Sequence, residues 1–266
     1  MSERHACELV GIARATQRYQ RTQHKAEREL VAAVREYAQR YPQYGYRMIT
    51  ALLQQAGYGV NHKRIERIWR QEGLQQPTRN VYKRRYGQGG DVKQRASYIN
   101  HVWSYDFTVD RTENGQQIRI LAVLDEFTRQ CLMLYTNTSI SSHQVIDILQ
   151  WLVMLHGTPV HIRSDNGPEF VAHRVKAWLA QQGSQTIYIE PGHPWENPFI
   201  ERFIGTLKYD CLNRYLFDTL TEAQELLDNW RTQYNTYRPH SALGYLTPDA
   251  YAAQQLNSMT LTSTGT

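Results

Sequence analysis

Apolar positions in the first part of the chain recur at helical spacing, and from about residue 101 they alternate as in strands. The opening text ACELVGIARATQRYQ groups apolar residues around Gly11 and predicts a short helical pair before the polar, basic stretch Gln20 to Arg28. A second helix is expected from about Ala26 to Gln39, with Leu30, Val31, Val34 and Ala38 on one face and Pro42 marking its end. The text YGYRMITALLQQAGYGVNHKRIERIWRQEGL then reads as a helix near 46–56, a turn at Gly57-Tyr58-Gly59 and a helix near 61–72 opened by Asn61. That is a helix-turn-helix pattern. Strand patterning follows in HVWSYDFTV, QQIRILAVLDEF and RQCLMLYTNT, with a turn at Glu113-Asn114-Gly115. A helix at about 141–155, the short strand PVHIRS, a helix at about 168–182 and the strand TIYIE complete a β-β-β-α-β-α-β series.

This order, followed by another helix, is that of a ribonuclease-H-like α/β fold with a mixed five-stranded sheet. The division it predicts is a small helical region over 1–75, a linker over 76–100, an α/β domain over 101–255 and a disordered polar tail over 256–266. The net charge of +5 points to an acidic partner, and its distribution says more. Residues 1–100 hold 19 Lys+Arg against 8 Asp+Glu, whereas residues 101–266 hold 11 against 17. The basic first part suits binding to a phosphate backbone. Its candidates are Lys63, Arg64, Arg67 and Arg70 on the second helix of the helix-turn-helix, and Lys83, Arg84 and Arg85 in the linker; a merely solvated basic face is the plainer alternative. The acidic remainder needs another route to DNA, which bound cations would supply. Three distant cysteines argue against a disulfide framework or structural zinc. No apolar run is long enough for a membrane helix and no signal peptide is evident, so a cytoplasmic protein is expected.

Three acids stand out in combination. Asp106 lies within the first strand, Asp165 ends the strand HIRSD before Asn166-Gly167-Pro168, and Glu201 follows a proline-rich loop. Asn197 as N-cap and Pro198 as first helical residue would put Glu201 about one turn into a helix, where the helix N-terminus favours its ionised form. Lys208 falls two turns later on nearly the same face. Alone, each acid is as well explained by a turn or a solvated surface.

The motifs WSYDFT, IRSDNGPEF and NPFIERFIGTLK, with 35 residues between the second and third acids, resemble the catalytic signature of retroviral integrases and related transposases. Over roughly residues 1–255, further blocks such as LAVLDEFTR and YNTYRPHSALGYLTPDAY resemble the second-frame (OrfB) transposases of the bacterial insertion-sequence-three family. Arg202 stands where that family often has Ser, Asp125-Glu126 follows the second strand, and KYDCL replaces RDECL-like text. The resemblance implies a DNA transposase that cleaves and rejoins phosphodiester bonds without a covalent protein–DNA intermediate. Asp106, Asp165 and Glu201 would hold two Mg²⁺ or Mn²⁺ ions, since three carboxylates form a hard oxygen site. Asn197, Lys208, His193 and Trp195 are candidate DNA contacts. Double-stranded DNA (element ends and target), a first-frame OrfA partner or fusion, and further copies of the chain are the implied partners. The alternatives are a catalytically silent DNA-binding regulator and a nuclease acting on RNA in a hybrid.

Overall fold

In the computed structural model, which describes residues 2–18, 25–75, 94–164, 169–189 and 196–263, the two kinds of periodicity separate into two compact units, Met1–Pro77 and Thr78–Thr266. Among its described residues the elements of the first unit are all helices. Helix α1 (Glu3–Val10) is opened by the Ser2 hydroxyl, which accepts the His5 N–H, and is closed by Gly11 at φ 67, a left-handed position suited to glycine. A single turn, α2 (Arg14–Gln17), follows. Helices α3 (Lys25–Arg40), α4 (Tyr46–Gln55) and α5 (His62–Gln71) bury Leu30, Val34, Ile49, Leu52, Leu53, Ile65, Ile68 and Trp69. Burial of one such side chain contributes about 1.5–3 kcal/mol. The Asn61 cap, which accepts the Arg64 N–H at 2.9 Å, contributes about 1 kcal/mol. The apolar stripes therefore hold this unit together, and the cap fixes where α5 begins.

The second unit is a five-stranded sheet in the order β3-β2-β1-β4-β5, from β1 (Val102–Arg111), β2 (Gln117–Asp125), β3 (Cys131–Asn137), β4 (His161–Ser164) and β5 (Gln185–Tyr188). β1, β2 and β3 pair antiparallel, while β4 joins β1, and β5 joins β4, in parallel. Parallel neighbours need crossovers, supplied by α6 (Ser142–His156) and α7 (Glu169–Gln181). Strand alternation sends Trp103, Tyr105, Leu121, Val123 and Leu132 to the face under α6 and α7, where Val145, Leu149, Leu152, Val175 and Leu179 meet them. The other face presents Ile118, Ile120, Ala122, Leu124 and Leu134 to α8 (Pro198–Asp210) and α9 (Leu220–Thr236).

Edge strand β3 is covered by α9. The Gln224 amide accepts the Thr136 N–H and donates to the Leu134 carbonyl, and the Asn235 amide does the same for Cys131. These bonds satisfy backbone groups that an open edge would leave free to pair with another chain. The final helix α10 (Pro248–Ser263) runs into the stretch from 256 that was expected to be a disordered tail. The end of the expected linker is likewise built into the second unit: the Asn100 N–H donates to Asp125 Oδ2 at 2.8 Å.

Candidate active site

The register between β1 and β2 sets Asp106 opposite Ala122, a residue of the core beneath α8. Asp106 thus belongs to the sheet face that α8 covers. It is half-buried, and its Oδ1 accepts the Phe107 N–H at 2.7 Å. On α8 the side chains Ile200, Phe203, Ile204 and Leu207 are buried against that face, which leaves Glu201 and Lys208 exposed. Phe203 is gripped in turn by Trp230 and Tyr234, whose rings meet it edge-on at 5.7 and 5.0 Å between centroids. Asp106 and Glu201 accordingly stand on neighbouring elements of one face. Asp165, the loop residues His193 and Trp195, and the linker residues Lys83, Arg84 and Arg85 lie outside the described residues. Among the described residues no three His, Cys, Asp or Glu side chains are grouped to hold a metal ion.

Two local expectations are corrected. The Glu201 carboxyl, on an exposed residue, is pushed above the usual carboxylate range by partial burial, the opposite direction from the one expected of a helix N-terminus. Asn197 occupies the N-cap position at φ −122 and ψ 46, and its side chain makes no capping bond. It is 3% exposed, which withdraws it from the surface where a DNA contact was expected. An N-cap side chain ordinarily needs an extended backbone to reach the N2 or N3 amide, and this ψ lies outside that region.

Sequence reasoning also passed over a buried charge cluster next to α8. Arg163, in the middle of β4, is fully buried; its Nε donates to Glu126 Oε1 at 2.8 Å, its Nη1 to the Glu196 carbonyl at 3.1 Å and its Nη2 to the Gln94 carbonyl at 3.0 Å. Burial raises the Glu126 carboxyl, and Arg163 draws it back down. The guanidinium of Arg129 lies 3.8 Å from the centre of the Phe199 ring. Asp125 has a structural role, its Oδ1 accepting the N–H groups of Phe127 and Thr128 and the Thr128 hydroxyl. The available signal was a charged residue inside an otherwise apolar strand, which must be paired if it is buried.

In the first unit Lys63 is exposed, while Arg64 and Arg67 both pair with Glu27 of α3 and Arg70 pairs with Glu66 one turn before it. Three of the four basic residues expected to meet DNA on α5 are thus engaged with carboxylates.

A mixed five-stranded sheet of this order with covering helices is the fold of an integrase core. Two integrase core domain models match residues 97–194 and 182–248, and an HTH-like domain model matches residues 25–82. A 31.7 kDa protein of insertion element IS407 from Burkholderia multivorans is 36% identical over 96% of this chain and 91% of its own length. A 39.2 kDa protein of insertion element IS476 from Xanthomonas euvesicatoria is 36% identical over 97% of this chain and 75% of its own. The transposase InsD of insertion element IS2 from Escherichia coli is 28% identical over 88% of this chain and 82% of its own. The chain belongs to the insertion-element transposases with an HTH-like domain and an integrase core, the insertion-sequence-three family. No helix among the described residues is long and apolar enough to cross a membrane.

Proposed function

We propose that the chain catalyses metal-dependent cleavage of insertion-element DNA ends and their transfer to a target strand, with Asp106, Asp165 and Glu201 holding the metal. The β1–β4 register carries this reading. It pairs Ser104 with Arg163, and two residues further along each chain come Asp106 and, in sequence, Asp165. Glu201 is on the helix that covers the same face as Asp106.

The donor set fits a hard divalent cation. All three candidates offer carboxylate oxygens, and the desolvated Glu201 gains from any partner that neutralises it, whether proton or cation. A divalent ion bound there would polarise the scissile phosphate and lower the pKa of the attacking water or 3′-hydroxyl. The chain's own contribution is placement. The sheet fixes Asp106, the apolar stripe of α8 fixes the rotation of the helix, and Glu201 is thereby turned outward beside the face on which Asp106 lies. Exposed Lys208, two turns beyond Glu201, is suited to a DNA phosphate. The HTH-like unit supplies DNA binding through Lys63 and through those arginines of α5 that DNA phosphates can draw from Glu27 and Glu66. A first-frame OrfA partner and assembly of several copies on DNA belong to the same proposal.

The test is Mn²⁺-dependent strand transfer with DNA carrying the element's own ends, by purified parent protein and by Asp106→Asn, Asp165→Asn and Glu201→Gln. Each variant should lose cleavage and transfer while still shifting the DNA. Retained transfer by any one of them removes that residue from the site.

A further inference from the structure

Resting on that reading of the three carboxylates, we propose that Arg163, Glu126 and Arg129 are positioning residues that set the start of α8, and with it Glu201, relative to the strands. Arg163 joins three separate segments from inside the fold: the turn after β2 through Glu126, the approach to α8 through the Glu196 carbonyl, and the chain entering β1 through the Gln94 carbonyl. Glu196 precedes Glu201 by five residues and Arg163 precedes Asp165 by two. One guanidinium fork is therefore tied to the approaches of two of the three acids. Arg129 adds a second hold, against Phe199, the second residue of α8.

This end of α8 is not packed solely by apolar side chains. A cavity of about 400 Å³ lies beside it, lined by Arg95, Ala96, Glu126, Arg129, Pro198 and Phe199. The backbone of the cluster is itself constrained: Gln94 and Arg129 take left-handed φ values of 53 and 63, which non-glycine residues hold only where their surroundings fix them. A buried ion pair is seldom the most stabilising way to fill such a place, so its use here is to fix geometry. Lysine cannot replace Arg163, because a point charge does not reproduce bonds in three directions.

The test uses the full chain and follows Mn²⁺ binding through the paramagnetic resonance signal of the free ion, with circular dichroism as the check on folding. Arg163→Lys, Glu126→Gln and Arg129→Met should each weaken Mn²⁺ binding about tenfold, as outer residues of metal sites do, with the helical signal unchanged. If they act through Glu201, Arg129→Met should cause no further weakening in a Glu201→Gln background. Folded variants that bind Mn²⁺ like the parent overturn the proposal, as does an equal effect of Arg129→Met in both backgrounds. Should the Arg163 or Glu126 variants fail to fold, the Arg129→Met cycle decides alone. Failure of the underlying site reading is separately visible, since Glu201→Gln by itself would then bind Mn²⁺ as tightly as the parent.

Discussion

Replacing Arg163 with Met strips one charge from a pair whose two side chains are both fully buried, and leaves Glu126 without its ion-pair partner, with Arg129 as the remaining nearby cation. Breaking such a pair on one side costs about 3–5 kcal/mol. The double variant Glu126→Met/Arg163→Met removes both charges. It forfeits the ion pair and the two bonds to the Glu196 and Gln94 carbonyls, each of those charge-assisted bonds worth about 1.5–3 kcal/mol, and regains apolar packing. It should be more stable than Arg163→Met by about 2 kcal/mol. The sign of the pH dependence follows from Glu126, whose carboxyl already sits above its ordinary value and rises further once Arg163 is gone. A group with a raised folded pKa takes up protons on folding, so its contribution is lost as pH rises through that value. The deficit of Arg163→Met should therefore be largest at neutral pH and shrink as pH falls toward the ordinary glutamate range, while the double variant, which lacks the parent's raised Glu126 carboxyl, should show the opposite trend, its deficit relative to the parent growing as pH falls. Urea unfolding followed by far-ultraviolet circular dichroism at several pH values measures both effects. Additive losses of stability in the double variant, or an Arg163→Met deficit that does not change with pH, would contradict a buried Arg163–Glu126 ion pair of this kind.

Neutralising Arg64, Arg67 and Arg70 together should weaken DNA binding and flatten the log–log salt dependence by about 0.9 for each phosphate no longer neutralised; an unchanged slope in a filter-binding titration would make α5 a solvated face. Glu27→Gln frees Arg64 and Arg67 from their shared carboxylate and should tighten DNA binding at low salt, whereas weaker binding would show that Glu27 orients these arginines for DNA. Because desolvation raises Glu201, Mn²⁺ binding should increase with pH through a midpoint above the usual glutamate value of 4.5. A midpoint at or below that value, read by the same resonance titration, would contradict the assignment of Glu201 as a desolvated ligand.

Element types and order were legible because each segment's period agrees with its local signals. The stripe Ile65, Ile68 and Trp69 begins just after Asn61, and Gly115, at φ 84, sits where the hairpin must turn. Pro198 begins α8 as expected. The misses concern forces that period does not report. The partial burial that raises Glu201 depends on what packs around α8. The Arg163–Glu126 pair joins residues 37 apart, and neither residue's neighbours announce the other. The expected tail continues as helix because no Pro or Gly interrupts the chain between Pro248 and Ser263.

If Asp106, Asp165 and Glu201 form one metal site, the position of a bound ion shows it. Crystals of the protein grown with Mn²⁺, measured by anomalous scattering, should show density at about 2.1 Å from carboxylate oxygens of Asp106, Asp165 and Glu201 together. Density bound elsewhere, or Asp106 and Asp165 on opposite faces of the sheet with Mn²⁺ present, would contradict it.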